Sequence, residues 1–185
     1  WSCIVTPSNS SGSGESGRKR VTIPHNCSQL ATWEGDLHIQ SQDDINLFCR
    51  YNNSVNGDLW LQNDIDITSL DCLCTVQGDM YISLSSVQTS HHSLLNLQNV
   101  SGDLTIFQDQ MLSSIEFPVL QSVGDDFQII GSVLESISAP SLDSVEGELY
   151  IENNDFLSLV FLPQLRSVES AFSVLQNTQL EHITS

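Results

Sequence analysis

The side chains best suited to chemistry in this chain are carboxylates that recur at a fixed interval. Asp36, Asp58, Asp79, Asp103, Asp126 and Glu148 each stand directly before an apolar-x-apolar triplet. One acid per repeat admits two readings. In the first, each side chain accepts a backbone N–H at its Gly-Asp corner, which is turn chemistry. In the second, the row holds Ca²⁺; the acids stand singly, without a clustered second ligand, which favours the first. Denser groups occur at Asp43-Asp44, Asp64-x-Asp66 and Asp125-Asp126. Paired carboxylates of this kind serve glycoside chemistry. Only Arg50 and Arg166 could neutralise a uronate substrate beyond residue 21, and they lie far apart. No Gly-x-Ser-x-Gly elbow is present, and His91-His92 falls in a loop-like insertion expected to be solvated. Neither a catalytic residue nor a metal nor a cofactor is expected.

A second row lies one residue into each triplet: His38, Trp60, Tyr81, Thr105, Gln128, Tyr150 and Ser173. Strand alternation sends the flanking apolar residues inward and this row outward. His38, Trp60, Tyr81 and Tyr150 are therefore the candidate ligand platform, an aromatic surface of the type that sugars and protein partners pack on. The competing role is cross-strand support of an exposed sheet.

These rows exist only if the chain folds as stacked repeats. Gly35-Asp36-Leu37-His38-Ile39 returns as Gly57-Asp58-Leu59-Trp60-Leu61, and again near residues 78, 102, 125, 147 and 170. The first apolar residues, at 37, 59, 80, 104, 127, 149 and 172, are 22, 21, 24, 23, 22 and 23 residues apart. A later block, Leu112-x-x-Ile115-x-Phe117-Pro118-x-Leu120-x-x-Val123, recurs from Leu134 and Leu157 and begins again at Leu180. Proline and β-branched residues argue against a helix in that half. So short a unit cannot bury its own apolar face, and stacking units in parallel supplies one core. The fold class expected is all-β, a single-stranded parallel β-helix of about seven coils over 35–185. At strand spacing it forms a rod roughly 30 Å long. A leucine-rich horseshoe is the competitor. Residues 1–34 are expected as an N-terminal cap, with a flexible Ser/Gly-rich loop at 8–20 and a short helix at 28–33; the cap hides an open strand edge. Arg18-Lys19-Arg20 closes that loop as a processing site or an exposed loop end. The repeat runs to the end of the chain and reads as cut within a coil.

Cys49 and Cys72 fall 12 and 13 residues after Leu37 and Leu59, at nearly equivalent places on adjacent coils. That places them within disulfide reach. The pairs expected are Cys49–Cys72 and Cys3–Cys27, with Cys74 left over and Cys49–Cys74 as the fallback. The cysteines and four sequons, at Asn9, Asn26, Asn52 and Asn99, point to a glycosylated extracellular protein. With 23 acidic residues against 5 Lys and Arg, net charge −18, the chain lacks the basic footprint of a nucleic-acid binder. No segment approaches the ~18 to 20 apolar residues of a membrane span.

The repeat Gly-Asp-Leu-x-Ile … Leu-x-x-Ile-x-x-Pro-x-Leu-x-x-Val resembles the receptor L-domain superfamily, best over 102–183 and more weakly back to Gly35. Its Ser- and Asn-rich, cation-poor texture is most similar to fungal GPI-anchored cell-wall organisation proteins. The resemblance implies a non-enzymatic wall or cell-surface glycoprotein with a protein or glycan partner, from a GPI-anchored parent. The receptor branch implies a ligand-binding ectodomain instead, although the cysteine-rich module of such receptors is missing. Coils between Gly35 and Val76 depart from the pattern, with Cys and Asn in place of Pro.

Overall fold

The computed structural model describes residues 27, 30–85, 91–107 and 112–185. The expectations for the loop 8–20, for Cys3 and for the sequons at Asn9 and Asn26 lie outside the described residues.

The fold is a parallel β-solenoid. One seven-stranded sheet, here the platform sheet, stacks Leu37–Ile39, Leu59–Asn63, Met80–Leu84, Leu104–Phe107, Phe127–Ile130, Leu149–Glu152 and Phe172–Leu175 in chain order. A second seven-stranded sheet runs from Ala31–Glu34 through Asn52–Asn56, Thr75–Val76, Asn99–Val100, Ser122–Val123 and Ser144–Val145 to Ser167–Val168. A third, of five strands, begins only at His91–Ser93 and continues through Ser114–Glu116, Ser136–Ser138 and Leu159–Phe161 to His182–Thr184. Register is strict: Leu104, Phe127 and Leu149 pair in one line, and Ile106, Ile129 and Ile151 in the next.

The core follows from that register. Leu59, Leu61, Ile82, Leu104, Ile106, Phe127, Leu149 and Ile151 point inward with Val123, Val145, Ile115 and Ile137, all essentially inaccessible to solvent. Each such side chain contributes roughly 1.5 to 3 kcal/mol of burial. The prolines sit where they suit the turn between the third and second sheets. Pro118, Pro140 and Pro163 follow Phe117, Ala139 and Leu162, whose C=O groups accept the N–H of Leu120, Leu142 and Leu165. Proline thus occupies the second position of a tight turn, where its fixed φ fits.

The first coils differ from the expectation. The segment expected as a cap helix contains instead the strand Ala31–Glu34, which pairs in parallel with Asn52–Asn56 and includes Trp33. The helix lies later, at Gln42–Tyr51, where later coils have third-sheet strand. Ser41 and Asp44 close a capping box, and the helix buries Ile45 and Phe48. The sequence signal was Ser41-x-x-Asp44 followed by apolar residues at helical spacing. In the second coil the equivalent stretch is a single 3₁₀ turn, Ile67–Ser69. His91-His92 is strand rather than solvated loop: His92 occupies the inward position in register with Ile115 and is 2% exposed.

Cys49–Cys72 forms as expected, with Cα atoms 5.4 Å apart. Cys3–Cys27 is overturned, because Cys27 is bonded to Cys74, 5.7 Å away between Cα atoms. Cys74 is therefore not the residue left over. The physical reason is register: Cys74 sits beside Asn53, its N–H donating to the Asn53 carbonyl, and Asn53 Nδ2 donates to the Cys27 carbonyl. Cys27 is thus laid against the first and second coils. No helix among the described residues is long and apolar enough to cross a membrane.

Candidate functional site

The acid row is a continuous hydrogen-bonded ladder. Asp36 Oδ1 accepts the N–H of Asp58 at 3.1 Å, Asp58 Oδ1 that of Asp79 at 2.9 Å, and Asp79 Oδ1 that of Asp103 at 2.9 Å. Asp103 Oδ1 then takes Asp126 N–H at 2.9 Å, and Asp126 Oδ1 takes Glu148 N–H at 2.7 Å. Each carboxylate therefore serves the next coil rather than its own corner. The turn reading is right about the acceptor, but the donor is the N–H of the next coil and not one at the acid's own corner. This passage between coils also explains the glycines. A Cβ on Gly102 would stand 2.1 Å from Asp79 Oδ1, and one on Gly147 would stand 2.3 Å from Asp126 Oδ1. Glycine at these corners leaves room for the carboxylate to cross, and Asp125 takes the equivalent place where Asp103 crosses to Asp126.

The second carboxylate oxygens divide the row. Tyr81 Oη donates to Asp79 Oδ2 at 2.9 Å, and Gln128 Nε2 donates to Asp126 Oδ2 at 3.1 Å. Oδ2 of Asp36 and of Asp58 has no further hydrogen bond among the described residues. Burial raises the Asp103 carboxyl above its usual range, assisted by Asp79, Asp125 and Asp126, while its bond from Asp126 N–H opposes this. Burial and the bond to Asp79 push the Tyr81 phenol up to about 12, so it remains a donor.

Other acids singled out by their spacing have local structural roles. Asp44 Oδ2 accepts from Ser41 Oγ and from the N–H groups of Gln40 and Ser41, and these bonds hold its carboxyl below the usual range. Asp66 caps the 3₁₀ turn through Thr68 N–H and Oγ1. Asp125 remains beside Asp103 and Asp126, the one group of three acids among the described residues close enough to share an ion. Of the sequons described, Asn52 caps the C-terminus of the helix, and Asn99 lies in a strand where its Oδ1 accepts from Ser122 Oγ.

The outward row behaves differently at its two ends. His38, Trp60 and Tyr81 stack on consecutive strands, with ring centroids 4.3 and 5.4 Å apart and planes within 9° and 14° of parallel. Their faces are turned toward one another along the rod, so the stripe offers solvent chiefly ring edges. Beyond Tyr81 the row continues as Thr105, only 8% exposed, and then Gln128. Tyr150 is three strands from Tyr81 and donates its phenol hydrogen to Glu152. The structure therefore joins three of the four platform candidates and leaves Tyr150 separate. Beside the stack, Gln40 Nε2 donates to Gln62 Oε1 at 3.3 Å, so the stripe is edged by amides on one side and by Asp36, Asp58 and Asp79 on the other. Comparison with models of protein families, with characterised proteins and with solved structures gave no match.

Proposed function

We propose that this chain is a non-enzymatic, glycosylated extracellular module of a cell surface or cell wall, serving structure and recognition, with a GPI-anchored parent. The observation that carries this reading is the stacked stripe of His38, Trp60 and Tyr81 on the outer face of the rod. Stacked aromatic rings on an exposed sheet are large recognition surfaces held at little conformational cost. Two disulfides suit an oxidising compartment. In each acidic pair weighed for catalysis one member, Asp44, Asp66 or Asp126, is engaged in a capping or coil-to-coil bond. Recognition by the stripe is tested by a glycan array and a surface-protein pulldown, comparing the native chain with the Trp60→Ala, Tyr81→Ala double variant. Binding lost by the variant supports the reading; binding untouched by it removes the stripe from recognition.

The alternative is the ectodomain of a ligand-binding receptor, which the same stripe would serve. The two part on attachment: release from cells by a phospholipase specific for GPI anchors supports the wall protein, and retention through a membrane-spanning segment supports the receptor.

A further inference from the structure

The stripe does not present what a sugar platform presents. A pyranose packs its C–H face on the open face of an aromatic ring; here Trp60 has both faces covered by its neighbours, Tyr81 lies between Trp60 and Thr105, and only the end face of His38 is turned away from the stack. What projects is a row of ring edges, which carry the positive end of the aromatic quadrupole, lined by carboxylates. Asp36 and Asp58 stand beside His38 and Trp60, and each has one oxygen bonded to the next coil and one without a partner among the described residues. No Lys or Arg lies on this sheet, in a chain of net charge −18. The surface is apolar along its centre and anionic along one margin.

We infer that this stripe binds a basic, extended peptide segment of a protein partner, and not a sugar ring. This deepens the recognition reading above and rests on it. The aliphatic stem of a Lys or Arg lies along the ring edges while its cationic head reaches Asp36 or Asp58, the division of labour that long basic side chains favour. Side chains on one face of an extended segment recur at roughly 6.8 Å, and their flexible stems absorb the difference from the coil spacing.

The probe is a short synthetic peptide of alternating Lys and Thr, run beside an alternating Glu and Thr peptide, a neutral β-glucan oligosaccharide and a chito-oligosaccharide. Binding is followed by amide and indole NMR shifts of the whole chain. The Lys peptide should move the Trp60 indole and Tyr81 amide resonances, and its affinity should fall about tenfold as salt rises from about 0.05 to about 0.5 M. The Asp36→Asn, Asp58→Asn double variant should lose about tenfold in affinity with an unchanged melting temperature, because the amide oxygen still accepts the N–H of the next coil. As a control on another sheet, Glu146→Gln with Glu169→Gln should leave affinity unchanged. Equal loss in the control means diffuse charge attraction and overturns the inference. An oligosaccharide that moves Trp60 when the Lys peptide does not overturns it while leaving recognition at the stripe intact. If no probe moves Trp60 or Tyr81, the inference and the recognition reading both fall.

Discussion

The first three coils and the four that follow share a platform strand but are held together by different means. The three coils that start at Leu104, Phe127 and Leu149 each have strands on three sheets, a proline turn and a core of aliphatic ladders, with the register repeated almost without change, and the last, from Phe172, has strands on the platform and third sheets. The first coils have no strand on the third sheet before His91–Ser93; a helix and a 3₁₀ turn fill that side, and both disulfides lie here. The difference shows that regular repeats close on themselves through packing, whereas irregular ones are stapled. The irregular end also carries the stacked stripe.

The far end teaches a second lesson. Phe172 and Ile183 are 43% and 39% exposed, while Leu149 and Val160, their partners one coil earlier, are 0% and 1% exposed. Position in the repeat assigns a residue to the inward face; only a following layer buries it.

Substitutions along the rod sharpen this comparison. The largest effect is expected at Gly102→Val, which drives a side chain into Asp79 Oδ1 and the Gly78 backbone. It should cost roughly 4 kcal/mol or more in urea unfolding, since the coils must part. Next, Ile137→Ala should cost about 3 kcal/mol by leaving a cavity, and Ile183→Ala, in the same line of the third sheet, less than about 1 kcal/mol; equal losses would show that the last coil is as well packed as the rest. Third, replacing Cys49 and Cys72 by Ser should cost about 3 kcal/mol on the chain-entropy account of a closed loop of this size. Hydrogen exchange should then rise in the first three coils while the strands from Leu104 onward remain protected.

The smallest effects concern acid. Asp44 has a lowered carboxyl, so its capping contribution is present above the unfolded value and is lost as pH falls through the depressed folded one. Asp44→Ala should accordingly cost about 0.5 to 1 kcal/mol near neutral pH and nothing in strong acid. Asp103 has the opposite sign: its raised carboxyl costs stability while ionised, and the cost disappears as pH falls below the folded value. Asp103→Asn keeps the acceptor for Asp126 N–H and should raise the melting temperature slightly at neutral pH, with the gain vanishing on acidification. A loss at neutral pH would mean that the ladder needs the charge itself.

Much of the architecture was legible in one dimension because a solenoid converts sequence period into spatial neighbourhood. Leu37, Leu59 and Met80 were identifiable as one inward line, and His38, Trp60 and Tyr81 as one outward line, without any knowledge of the turns. The helix at Gln42–Tyr51 is not legible in the repeat, because its signal is local: a Ser41–Asp44 capping box and apolar Ile45 and Phe48. His92 was misplaced because an inward histidine breaks the apolar pattern by which inward positions are recognised.

By itself, the sequence determined which residues share a face and a line, since those relations depend only on spacing and strand alternation. Tertiary structure alone decided relations between lines and between coils. It turned each acid toward the next coil's N–H, and it brought Cys27 to Cys74 across 47 residues of chain. It also turned the aromatic faces toward one another. These depend on side-chain direction and on where the chain crosses its own ends, neither of which a period records.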